Sequence, residues 1–338
     1  MRVAVLTTSW PRGEEFAGWF VAAAVERLRE RGVEVDVLAP GSGYRDFGLA
    51  YGGGMAANAR RRPWAVPLML LSMWLALRRA PARADLVHAH WLLTAAVGRF
   101  GGRPFVVTLH GSGSAGRFSD VELARRRPAL VRALLGRARA VICVSETVAA
   151  AVRETGVEPV VIPNGVAVPD QPPPPAEPPE LLYLGRLSPE KNVDTLVEAL
   201  GDLNLVVVGD GPLRHLVPQA LGPIPHEEVE RLLERAAILV APCEREGFGL
   251  AAAEAMAFGR PVVAAAGGAL LELVVDGETG LLVPPRDPQA LRAAVERLLA
   301  DPELRERLGR AGRERARERY GWDGVIDRTL DVYRAATL

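Results

Sequence analysis

The chain has 338 residues, 49% of them apolar, enough for about two domains with a core in each. Basic and acidic residues balance at 41 each, which excludes a general nucleic-acid scaffold; any site for a polyanion has to be local. The two cysteines, Cys143 and Cys243, lack metal-ligand spacing, so a reduced, cytosolic chain is expected.

The chain opens directly on a strand, and no signal peptide is expected. Residues 2–8 form that strand, a loop with Pro11, Gly13 and Gly18 follows, and helical periodicity over 19–31 (Phe20, Ala24, Leu28) stops at Gly32. A second strand over 33–38 completes the first unit of a doubly wound α/β domain. The unit lacks G-x-G-x-x-G, which disfavours a dinucleotide enzyme of the common type. Residues 44–63, rich in glycine and arginine, are expected to be a mobile loop. The longest apolar run, 66–77, is shorter than the ~20 residues that a bilayer span needs. It is predicted to be a buried helix. An amphipathic contact with an anionic membrane surface is the alternative, because Arg60, Arg61 and Arg62 precede the run and Arg78 and Arg79 follow it.

Strands over 85–89, 104–109, 140–144 and 160–162 run into His90-Trp91, His110-Gly111-Ser112-Gly113, Ser145 and Pro163-Asn164-Gly165. Open α/β sheets bind ligands at such carboxyl ends. His88 reads as a strand residue, and His215 and His226 as surface or helix-start residues. Residues 170–180, DQPPPPAEPPE, form a stiff connector between domains.

The second half repeats the opening: strand 181–184, loop 185–192, helix 193–200, and strand 205–208 ending at Gly209-Asp210-Gly211-Pro212. Two α/β domains facing each other across a ligand cleft are therefore expected. A helix over 225–237 and a strand over 238–241 lead into EREGFGLAAAEAMAFGR, residues 244–260. Glu246 lies in a loop there. Gly247, Phe248 and Gly249 open a helix of strong helix formers from Leu250 onward, and Gly259 stops it. Glu254 sits inside that helix, with seven residues between it and Glu246. The helix start offers backbone N–H groups and a positive dipole end to a phosphate. Strands over 261–265 and 280–283, a charged helical stretch over 287–320 and an amphipathic helix over 322–333 complete the chain.

Arg186 and Lys191, the one lysine of the chain, lie in the loop of 185–192 and can hold a diphosphate. Glu254 can accept from ribose hydroxyls and Glu246 from sugar hydroxyls. A general acid and base pair is the alternative for the two carboxylates. With neither D-x-D nor a His/Cys cluster, no metal is expected.

This ordered set resembles the family 4 glycosyltransferases of the two-Rossmann-domain, GT-B type. The resemblance rests on HAHW (88–91), TLHG (108–111), CVSE (143–146), VIPNGV (161–166), GRLSPEKN (185–192), GDGP (209–212), PHEEV (225–229), EGFGLAAAEAMAFGRPVV (246–263) and DGETGLLVPP (276–285). It implies a retaining, metal-independent transferase that moves a hexose-type sugar from a nucleotide-diphosphate donor. The acceptor is left open among a sugar, a lipid and a small molecule, with cell-envelope polysaccharide or glycolipid synthesis as a setting. Carried over by position, Arg186 and Lys191 hold the diphosphate, Glu254 the ribose, and Glu246 with the amides of Gly247 to Gly249 the donor sugar and phosphate. Gly18, Gly209, Asp210, Phe248 and Leu250 join the donor contacts. His110 contacts the sugar near the reacting carbon, and His90, Trp91 and Asn164 lie on the acceptor side. The implied division is an acceptor domain over 1–169, the linker, a donor domain over 181–315, and a terminal helix over 316–338 crossing back. The expected location is cytoplasmic, with peripheral contact at the inner membrane face as the alternative that the Arg-flanked run of 66–77 raises. A nucleotide-sugar epimerase or hydrolase, or a non-catalytic nucleotide-sugar binder, is the alternative on the same plan. The sequence departs from the family at Ala17-Gly18, in the short segment 213–224 that bears on base binding, and in the spacing from Gly267-Gly268 to Glu272.

Overall fold

The computed structural model describes residues 1–338 except 13–16, 52–54, 80–83 and 112–118, together with the side chains of 56 and 57. Gly13, Ser112 and Gly113 lie outside the described residues. The chain divides into two compact units, Met1–Pro163 with Val325–Leu338, and Asn164–Gly324.

The first unit carries β1 (Arg2–Leu6), β2 (Glu34–Leu38), β3 (Leu86–His90), β4 (Phe105–Leu109), β5 (Ala140–Cys143) and β6 (Val160–Val161) in a parallel sheet ordered β2-β1-β3-β4-β5-β6. The second carries β7 (Glu180–Leu184), β8 (Leu205–Val208), β9 (Ala236–Ala241), β10 (Val262–Ala265) and β11 (Gly280–Val283), parallel in the order β11-β10-β9-β7-β8. Continuous apolar strands such as Val262–Ala265, buried throughout, are what a sheet covered on both faces requires. In each sheet the winding reverses once, between β1 and β3 and between β7 and β9. Loops leaving the carboxyl ends of those strands diverge and open a crevice.

Several expectations change. The helix Trp19–Glu30 buries Val21, Val25 and Leu28, one residue out of phase with the periodicity read from Phe20 and Ala24. Residues 44–63 are not one loop. They include the helix Met55–Arg61, and Tyr44 is buried with its hydroxyl donating to the Thr7 carbonyl at 2.9 Å. The helix Ala65–Arg79 buries Ala65, Met69, Met73 and Leu77, but leaves Leu68, Leu71 and Leu75 exposed, so only one of its faces is covered. The charged stretch splits into Pro288–Ala300 and Pro302–Tyr320. At each start an aspartate, Asp287 or Asp301, caps the helix and a proline follows at the first helical position. Among the described residues no helix is long and apolar enough to cross a membrane.

Candidate active site

Lys191 and Glu246 are delivered by the two strands that flank the reversal of the second sheet. After β7 the chain makes one 3-10 turn, Pro189–Lys191, and Asn192 takes φ +51. The buried Asn192 amide donates to the Pro242 carbonyl at 2.9 Å, which ties this loop to the one leaving β9. Lys191 Nζ donates to Glu246 Oε1. Burial is the largest single influence and works against the Lys191 charge, but Glu246, Cys243 and Glu190 together outweigh it and the pKa rises. Gly249, at φ +88, starts the helix Leu250–Ala257. Lys191, Glu246, Gly249, Leu250 and Tyr183 share the wall of a cavity of about 210 Å³. Behind the loop, a Cβ on Gly267 would meet the Glu244 carbonyl at 2.5 Å, and one on Gly268 the Glu246 carbonyl at 2.7 Å. Ala269 N donates to that Glu246 carbonyl at 3.0 Å. This glycine pair therefore shapes the loop that presents Glu246.

Glu254 is buried, and desolvation, then Glu230, push its pKa up to about 8. His226 Nε2 lies 3.5 Å from Glu254 Oε1 and 3.7 Å from Glu230 Oε1, and burial lowers the His226 pKa. Near neutral pH Glu254 thus holds a proton and can both donate and accept. Arg186 is exposed in the loop after β7. Gly209, at φ +134, lets β8 approach that loop, since a Cβ there would stand 1.9 Å from the Gly185 carbonyl. Asp210 accepts from Gly211 N at 2.8 Å. The short segment after Pro212 holds one 3-10 turn, Arg214–Leu216, and a bridge between Gly209 and Gly222. Phe248 turns inward, edge-on to Tyr320 with ring centres 5.6 Å apart.

In the first unit, His90 Nδ1 and His110 Nε2 are 2.9 Å apart, with the rings stacked at 14°. Trp91, at φ +69, and Phe20 set their rings 4.9 and 5.1 Å from that of His110. Burial, then His88 and His110, hold the His90 pKa well below its ordinary value, which favours the neutral His90 ring. His88 bridges Tyr333 Oη at 2.5 Å and Thr108 Oγ1 at 2.7 Å. Gly18, at φ +81, precedes the helix Trp19–Glu30, and a Cβ there would stand 2.3 Å from the Ser9 carbonyl. Of the residues expected on the acceptor side, His90 and Trp91 belong to the first unit, with ring centres 6.1 Å apart, and Asn164 belongs to the second.

The pattern described as "Glycosyltransferase Family 4" matches residues 17–168, and that described as "Glycosyl transferases group 1" matches 167–315. The chain is 35% identical over 288 residues to the glycogen synthase of Mycobacterium tuberculosis (strain CDC 1551 / Oshkosh), covering 75% of this chain and 69% of that one. The chain belongs to glycosyltransferase family 4. Among solved structures, this glycosyltransferase is similar to the sucrose-phosphate synthase of Thermosynechococcus elongatus, with a TM-score of 0.82, 27% identity and 98% of both chains covered. It shares its fold with Anabaena Alr3699/HepE, solved in complex with UDP-glucose, at a TM-score of 0.73, 20% identity, and 98% and 99% coverage. The GT-B architecture and the enzyme class expected from the sequence are therefore those of the protein.

Two residues that contact these groups are not singled out by the sequence. His226 reads as an ordinary helix start, and nothing local announces that its ring meets a carboxylate 28 positions on. Asp120 carries no motif, yet Leu92 N donates to its Oδ1 at 3.2 Å. Burial raises its pKa to about 6 against the opposing pull of the Leu92, His110 and Gly111 amides. Asp120 thereby anchors the backbone on either side of the His90–His110 pair.

Proposed function

We propose that this glycosyltransferase takes a hexose-type sugar from a nucleoside-diphosphate donor bound on its second unit, and transfers it with retained anomeric configuration and without a metal. The Lys191–Glu246 pair beside the start of the helix Leu250–Ala257 carries this reading. The diphosphate oxygens accept from Lys191, from the Arg186 guanidinium and from amides at the helix start. These groups balance the charge that collects on the diphosphate as the bond from the anomeric carbon breaks, the role a divalent cation takes elsewhere. One Glu246 oxygen is tied to Lys191 and leaves the other to a sugar hydroxyl. Glu254 exchanges hydrogen bonds with the ribose. His110, held by His90, contributes a contact to the transferred sugar.

A protein of this fold holds UDP-glucose, which supports the donor class. Glycogen synthase and sucrose-phosphate synthase differ in product by name, so likeness to both leaves the acceptor open among a sugar, a lipid and a small molecule. A cytoplasmic setting accords with two unpaired, buried cysteines.

Calorimetric titration with UDP, GDP and ADP, each with and without an attached hexose, tests the reading on wild type and Lys191→Ala. One nucleotide is expected to bind selectively and to lose affinity in the variant. Turnover with that donor is expected to survive EDTA and to give a product whose anomeric proton signal matches the donor's configuration. Binding of none of the three nucleotides, or binding indifferent to Lys191, removes the donor assignment.

A further inference from the structure

The helix Ala65–Arg79 has a second face that the fold does not use. Its buried face is Ala65, Met69, Met73 and Leu77. On the opposite side Leu68, Leu71 and Leu75 are 41%, 52% and 37% exposed, and Trp64, just before the helix, is 60% exposed. The positions 64, 68, 71 and 75 follow helical spacing and make one continuous apolar stripe. Phe100, 64% exposed, widens it: Trp74 Nε1 donates to the Phe100 carbonyl at 3.1 Å.

Both ends of the stripe are cationic. Arg60, Arg61 and Arg62 lie before it and Arg78 and Arg79 after it, all exposed. Arg78 stands over the Trp74 ring at 5.1 Å and Arg99 over the Phe100 ring at 5.7 Å, so charge rims the apolar surface. Between positions 47 and 119 the sequence has nine arginines and one acidic residue, Asp85, although the whole chain is neutral.

We infer that this face docks on an anionic phospholipid bilayer. Fifteen residues of helix reach about 22 Å, too short to span but long enough to lie in the interface with leucines and tryptophan among the acyl chains. The arginines then meet lipid headgroups of opposite sign. A second copy of this chain fits less well, because a symmetric pairing sets one arginine rim against another. A groove on a protein partner would need an acidic border at both ends of an apolar floor, which an anionic bilayer supplies along its whole surface. The inference concerns where the enzyme works and is independent of its donor.

Co-sedimentation of the full chain with vesicles, without nucleotide, tests it. Vesicles are made of phosphatidylcholine alone or with a phosphatidylglycerol fraction. Wild type is expected to pellet with the phosphatidylglycerol vesicles, to stay in solution with phosphatidylcholine, and to be released by salt. Arg78→Glu/Arg79→Glu is expected to lower the partition coefficient by roughly tenfold or more. Leu68→Ser/Leu71→Ser/Leu75→Ser is expected to abolish pelleting while the far-UV circular dichroism stays that of the folded chain, since the buried face Ala65, Met69, Met73 and Leu77 is untouched. Wild type left in the supernatant with both vesicles, equal binding to both, or leucine variants that bind as wild type would each overturn the proposal. So would a wild-type dimer that the leucine substitutions dissolve, which would assign the face to a second copy.

Discussion

The Lys191 ammonium donates to the Glu246 carboxylate across 55 positions of sequence. Both side chains are largely buried, so neither charge is well solvated without the other. Lys191→Ala removes the cation proposed to hold the diphosphate and strands Glu246. Nucleoside-diphosphate affinity is expected to fall by about 1.5–3 kcal/mol, with a lowered melting temperature, by calorimetry and thermal unfolding. The control is Arg310→Ala, an exposed position expected to change neither. Arg313 reads as an equally good control in the sequence but is not one, because its guanidinium donates to the Pro169 and Asp170 carbonyls.

Glu254 makes stability depend on pH in an unusual direction. Its carboxyl is raised to about 8 in the folded chain against 4.5 when unfolded. Between those values the folded state binds the extra proton, so stability falls as pH rises, at up to about 1.4 kcal/mol per pH unit, and levels off above pH 8. Glu254→Gln is expected to flatten that limb in melting curves taken from pH 5 to 9. The same variant is expected to weaken nucleoside-diphosphate binding through the altered ribose contacts.

Gly268→Ala tests the loop that presents Glu246. The backbone there holds φ +55, and the new methyl would lie 2.7 Å from the Glu246 carbonyl and 2.9 Å from its nitrogen. The left-handed backbone costs about 1–2 kcal/mol for a non-glycine residue. Because the displaced atoms belong to Glu246 itself, donor affinity is expected to fall along with the melting temperature. Gly277→Ala shares the positive φ but has open space around it, and is expected to lose stability alone.

Tyr333→Phe tests the first unit. It deletes the hydroxyl bonded to buried His88, at a cost of about 1–3 kcal/mol in thermal or urea unfolding. Burial lowers His88 to about 3 from 6.5. The unfolded chain therefore takes up the proton first, and stability is expected to fall as pH drops from about 6.5 toward 3. This limb runs opposite to that of Glu254, so stability is expected to peak between the two.

The α/β class, most of the strands and the family are legible in the amino-acid order, because these depend on local information. Apolar runs, helix-stopping glycines and the proline stretch act within a few residues of where they stand. The motif order from TLHG to E-x7-E survives as a linear pattern. Sequence also located the Arg186–Lys191 loop and the glycine-opened helix at Leu250, since a loop after a strand and a helix start are readable from composition.

Which side chains meet was decided by the tertiary structure. Lys191 is as close in sequence to Glu190 and Asp194 as a surface pair could be, yet it reaches Glu246, because sheet order sets β7 beside β9. Glu254 finds His226 for a similar reason: the chain enters β9 from the helix His226–Arg235 and leaves it into the helix Leu250–Ala257. The face of Ala65–Arg79 that stays uncovered was equally illegible, since leucines and methionines alternate all round that helix. Only packing against a sheet, which joins residues distant in the chain, could select Met69 and Met73 for the core and leave Leu68, Leu71 and Leu75 outside.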